Sequence, residues 1–115
     1  MQATFQENHV NKFRDAEQLW FWFISGTQFR STLRHAGRMR ETSFRPCESL
    51  DIETLITRLF LSGRISREQL EILKQYGERR RAPSQHIWSE NRAAMLWTEA
   101  MRILQLAFGA KGWIE

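Results

Sequence analysis

The stretch "LDIETLITRLFLSGRISREQLEILKQYG", residues 50–77, constrains the fold more than any other part of the chain. Ile52, Leu55, Ile56, Leu59 and Phe60 recur at the spacing of one helical face, and Gly63 closes that face. Ser49 or Asp51 is placed to cap its start. Ser66 followed three residues later by Gln69 is a capping box, with Ile65 and Leu70 placed as a hydrophobic staple. Leu70, Leu73 and Tyr76 carry a second face as far as Gly77. Only Gly63 to Ile65 separate the two faces, so the segment is predicted to form a tight αα-hairpin.

The segments on either side fit the same class. Asp15 with Gln18 forms a capping-box pattern ahead of a helix predicted to reach about His35, with Gly37 as its stop. Leu19, Trp22, Phe23, Gly26, Phe29 and Leu33 share one side of that helix as the expected core stripe. Trp20, Phe21 and Ile24 fall on the other side, so the run "LWFWFI" needs protein over both faces. Residues 38–49 read as a loop broken by Pro46. After "GERRRAP", a long last helix is predicted from Pro83 or Ser84 to about Phe108. Its core stripe is Ile87, Ala94, Trp97, Ala100, Met101, Leu104 and Phe108, with Ala107 at the edge. Trp113 and Ile114, beyond Gly109 and Gly112, are expected to fold back onto the core.

With two prolines and six glycines in 115 residues, turn chemistry is too sparse for a many-stranded sandwich. The expected fold is therefore all-α, a compact bundle of four helices with helices 2 and 3 as the hairpin and a long C-terminal helix. Residues 1–14 are polar and mixed, and are expected as a loosely ordered segment from which Phe5, Val10 and Phe13 can dock. Residues 15–115 are expected as a single helical domain.

Several function classes lose support. The Leu19–Ile24 run has six residues, whereas a membrane-spanning helix needs about 20. The first residues lack the basic start and apolar run of a secretory signal, and a cytoplasmic location is expected. Cys47 is the sole cysteine, so no internal disulfide or cysteine metal cluster is expected. His9, His35 and His86 are scattered, and no phosphate loop or nucleophile elbow occurs. His86 and Glu90, four apart, have the spacing of a base and its orienter, and equally of a solvated first-turn contact. No enzymatic activity, cofactor, metal or small-molecule ligand is expected.

What remains is surface chemistry. The chain carries fourteen Arg against three Lys, a net charge of +4 and a pI near 10.0. Arg30, Arg34, Arg38, Arg40 and Arg45 form one cluster, and Arg79, Arg80 and Arg81 a second. Cations gain about 0.3–1 kcal/mol each at a helix C-terminus, which covers Arg34 and Arg79 but not the whole clusters. Clustered arginines near aromatics are the footprint of nucleic-acid binding, so Arg30, Arg34, Arg38, Arg40, Arg79, Arg80 and Arg81 are the candidate phosphate contacts. On the outer side of the last helix, Trp88, Met95 and Leu106 line up with Arg92, Glu99 and Arg102. Such a strip implies a second contact, made by the N-terminal segment, a homodimer partner or another protein.

From Ser66 onward the chain resembles the DNA-binding region 4 of bacterial sigma factors and related phage regulators. "SREQLEILKQYG" is similar to that family's opening helix, and "WTEAMRIL" to the end of its recognition helix. Between them, "ERRRAPSQHIWSENRAAML" has no Gly and reads as a loop followed by one helix. The resemblance implies a helix-turn-helix and DNA binding. The features "LKQYGERRRAP", "LWTEA" and "KGWIE" also resemble a group of small helical proteins, chiefly alphaproteobacterial, that carry no assigned activity. The leading expectation is a small basic regulatory or accessory protein that binds nucleic acid, with DNA favoured. The alternative is a non-enzymatic adaptor or homodimer that uses the Trp88, Met95 and Leu106 strip.

Overall fold

Caps and stripes read from the sequence become four α-helices in a computed structural model that describes residues 11–36 and 46–115, with side chains described for 11–26 and 46–115. They are α1 (Ala16–Ala36), α2 (Ser49–Leu61), α3 (Arg67–Arg79) and α4 (Asn91–Lys111), with a short 3₁₀ turn at Trp88–Glu90. The fold is all-helical, with a long C-terminal helix and with α2 and α3 adjacent and in contact.

Local chemistry sets most of the boundaries. The Gln18 N–H donates to Asp15 Oδ1 at 2.9 Å, and Gln18 Oε1 accepts from the Arg14 N–H at 2.6 Å. At α3 the capping box is complete, because Ser66 Oγ accepts from the Gln69 N–H and Gln69 Oε1 accepts from the Ser66 N–H. At α2 the N-cap is Glu48 rather than Ser49 or Asp51, and Asp51 instead accepts the Glu48 N–H at 2.8 Å. Gly63 turns the chain at φ 82°, a left-handed conformation that costs a Cβ-bearing residue energy. Ile65, delivered by that turn, is fully buried.

α1 packs against all three other helices, which is why its first turns are apolar all round. Its most buried residues are Ala16, Leu19 and Trp20, with Trp22, Phe23 and Ile24 half-buried. Trp20 therefore belongs to the core and not to the back side assigned from periodicity. Its indole N–H donates to the Leu73 carbonyl of α3 at 2.8 Å. Gly77 lets the ring approach, since a Cβ there would lie 2.8 Å from Trp20 Nε1. On the opposite side Phe21 stacks on Trp97 of α4 at 5.7 Å, and the Trp97 indole N–H donates to Glu17 at 3.1 Å. The other expected α1 stripe residues, Phe29 and Leu33, have side chains outside the described residues, as has His35.

The two ends of the described chain meet. Gly112, at φ 79°, ends α4 and turns Trp113 and Ile114 back into the core. The Phe13 N–H donates to the Trp113 carbonyl at 3.1 Å, and the Glu115 N–H donates to the Phe13 carbonyl at 2.9 Å. Phe13 thus docks as expected, whereas Phe5 and Val10 lie outside the described residues.

Two boundaries differ from the sequence reading. α3 runs through Gly77 to Arg79 and ends on Arg80, which takes the left-handed conformation at φ 61°. α4 begins at Asn91 rather than at Pro83 or Ser84, because Glu90 is held back toward the preceding loop. Residues 82–87 hold no helix, so the short helix and turn of a helix-turn-helix are not formed there. Ile87, placed off the helix, is exposed rather than part of the core stripe. Ala94, Trp97, Ala100, Leu104 and Phe108 are buried as the periodicity requires.

Candidate interaction surface

The loop from α3 to α4 is closed by one carboxylate. Glu90 accepts from Arg81 Nη2 at 2.6 Å and Nη1 at 3.2 Å, a forked pair, and from the Ser84 N–H at 2.8 Å. The Arg81 hydrogen bonds and the Ser84 N–H hold the Glu90 carboxyl down at about 2, against an opposing effect of burial. Arg81 and Arg79 both lie over the Tyr76 ring, at 5.7 Å and 4.9 Å. Arg81 is therefore a structural clamp. Its planar fork spans both carboxylate oxygens, which a lysine ammonium does not reproduce. His86 and Glu90 do not pair: Glu90 is occupied by Arg81 and Ser84, and the His86 N–H donates to Ser84 Oγ.

This clamp fixes the start of α4 and leaves Trp88 outside it, 87% exposed. Along the same outer side of α4, Met95 is 55% and Leu106 66% exposed, with Glu99 and Arg102 exposed between them. Within α4, from Met95 to Leu106, the strip is roughly 16 Å long at 1.5 Å per residue, and Trp88 extends it beyond the helix start. Arg92 flanks it and pairs with Glu68 of α3 at 2.8 Å, while Gln69 donates to Glu99 at 3.3 Å. An exposed Trp in line with two further large apolar side chains is unusual on a surface that needs nothing to cover it. The strip was visible in the sequence. The structure adds that none of the described residues buries it.

Of the expected phosphate contacts, Arg79, Arg80 and Arg81 have described side chains. Arg79 and Arg80 are exposed at the end of α3, while Arg81 is committed to Glu90. Arg38, Arg40 and Arg45 lie outside the described residues, and so do the side chains of Arg30 and Arg34. Sequence reasoning missed the Arg81–Glu90 clamp because a nine-residue separation across a loop leaves no periodic signal.

Two hollows lie among the described residues. One of about 300 Å³ lies among α1, α2 and α3, lined by Trp20, Phe23, Ile24, Ile56 and Leu70, with Lys74 and Glu78 at its edge. The other, of about 280 Å³, is bounded by Asp15, Trp97, Met101 and Gln105. Cys47 is buried. Among the described residues no group of three or more His, Cys, Asp or Glu is placed to hold a metal, and no helix is long and apolar enough to cross a membrane. No protein-family model matches the chain, and no curated protein or solved structure matches it significantly.

Proposed function

We propose that this protein is a non-enzymatic interaction module whose docking surface is the outer face of α4. The observation that carries the reading is Trp88, 87% exposed yet held on a loop clamped at Arg81 and Glu90. An exposed Trp, with Arg92 and Arg102 exposed further along the same strip, has the composition of a binding hot spot. Clamping the loop before binding lowers the ordering cost of association.

Photocrosslinking tests it directly. Benzoylphenylalanine in place of Met95 or Leu106 is expected to give one discrete protein adduct in cells. The same probe in place of Glu71, exposed on α3, serves as the control. Adducts that are absent from both α4 positions, or no stronger than at Glu71, overturn the reading.

A second reading is favoured by Arg79 and Arg80, which stand exposed at one helix end in a chain of net charge +4. On this reading the protein binds nucleic acid, with DNA favoured, through phosphate contacts. Fluorescence anisotropy with duplex DNA is then expected to show affinity falling steeply between low and physiological salt. Undetectable binding at low salt removes this second reading.

A further inference from the structure

We infer that the occupant of the α4 face is a second copy of this chain, packed antiparallel across a two-fold axis. The inference rests on the docking role of that face and adds its partner and orientation. The outer strip reads Met95, Glu99, Arg102, Leu106: apolar, acidic, basic, apolar, at spacings of four, three and four. Those spacings keep all four residues in one seam of a helix. A dyad at the level between Ala100 and Met101 lays Met95 against the partner's Leu106 and Glu99 against the partner's Arg102. Each contact then occurs twice, as a two-fold interface requires.

The rest of the strip agrees with this register. Arg92 falls opposite the partner's Gly109, where no side chain competes for space, and nothing lies within 4 Å of the position a Gly109 Cβ would take. Trp88 reaches the end of the partner's α4. Among the described residues neither Arg102 nor Glu99 forms an ion pair; Glu99 keeps a long 3.3 Å contact with Gln69 and a longer-range attraction to Arg92. Both charges are therefore available to each other across the axis. A parallel arrangement would instead set Glu99 against Glu99 and Arg102 against Arg102. Like charges in register oppose association, so the pattern selects orientation as well as partner.

One helix seam about 16 Å long, extended by Trp88, lies at the low end of what holds two proteins together, where stable pairs bury about 800 Å² per partner. The dimer is thus expected to dissociate on dilution. Repulsion between two +4 chains is screened over about 8 Å at physiological salt, so measurements belong at that ionic strength.

Sedimentation velocity and light scattering on the full chain read the outcome. The wild type is expected to rise with concentration from 13.7 kDa toward twice that mass. Glu99→Arg and Arg102→Glu should each weaken self-association at least about tenfold. An equimolar mixture of the two single variants should recover the dimer, and so should the double exchange E99R/R102E. All these positions are exposed, so circular dichroism is expected to show unchanged helicity. A wild type that stays monomeric at millimolar concentration overturns the second-copy assignment. If it does so while Met95 still crosslinks to a different protein, the docking face stands and only the partner is wrong. A double exchange no better than the single variants overturns the antiparallel register. A dimer indifferent to both charge reversals and to Trp88→Ala overturns the assignment of this face altogether.

Discussion

Gly77→Ala offers the sharpest test of how α1 is held against α3, because two effects of opposite sign compete at one residue. Replacing Gly by Ala inside a helix favours the helix by at most about 1 kcal/mol. Gly77 is buried, however, and the new Cβ would lie 2.8 Å from Trp20 Nε1 and 2.9 Å from Ile24 Cγ1. Overpacking of this kind costs about 1–3 kcal/mol. Trp20 has little room to retreat, since it is only 2% exposed and its N–H is bonded to the Leu73 carbonyl. Pulling the indole away leaves a buried donor unsatisfied, at about 1–3 kcal/mol. The steric and hydrogen-bond costs outweigh the propensity gain, leaving a net loss of about 1–3 kcal/mol. At about 4 °C per kcal/mol for a chain of this size, Tm should fall by about 4–12 °C.

Gly109→Ala is the matched control. It lies in the last turn of α4 with nothing within 4 Å of its added Cβ, so stability should rise by up to about 1 kcal/mol. Thermal and urea unfolding of both variants measure the difference. In a double-mutant cycle, Trp20→Phe should cost less in the Gly77→Ala background than in the wild type, by about 1 kcal/mol or more. A Gly77→Ala protein as stable as the wild type, or a strictly additive cycle, would refute the close approach of the two helices.

The Arg81–Glu90 clamp should show itself in pH dependence. The Glu90 carboxyl sits at about 2 when folded against 4.5 ordinarily, so its contribution is complete above about pH 4.5 and fades as pH falls toward 2. The Tm gap between wild type and Glu90→Gln should therefore be widest near neutrality and close through that window; a gap constant with pH would count against the clamp. Arg80→Gly should raise stability by about 0.5–1 kcal/mol in urea unfolding, because Arg80 caps α3 at φ 61°, where glycine carries no Cβ penalty. A loss of stability there would mean that the Arg80 side chain contributes more than its backbone conformation costs.

Helix existence and most helix ends were legible because the signals are local. The Ser66–Gln69 box, the Asp15 cap and the Gly63 turn each act over three or four residues, and each is found where the sequence places it. The stripes of α2 and α4 were legible for the same reason, since each helix buries one side. The exposed strip of α4 is the complement of such a stripe, so Trp88, Met95 and Leu106 could be singled out from spacing alone.

Tertiary structure alone decided what depends on elements meeting at long separation. In α1 apolar residues surround the helix, so no moment distinguished the sides. Trp20 became core because Gly77 of α3 leaves room for its ring and Leu73 offers a carbonyl to its N–H. Gly77 reads in sequence as a stop, yet in the fold it is a point of close approach inside the helix. Glu90 reads as part of a helical first turn, yet Arg81 and the Ser84 N–H draw it back and delay α4 to Asn91. Caps and stripes are short-range interactions written into adjacent residues, whereas a clamp or a groove needs two distant segments already brought together.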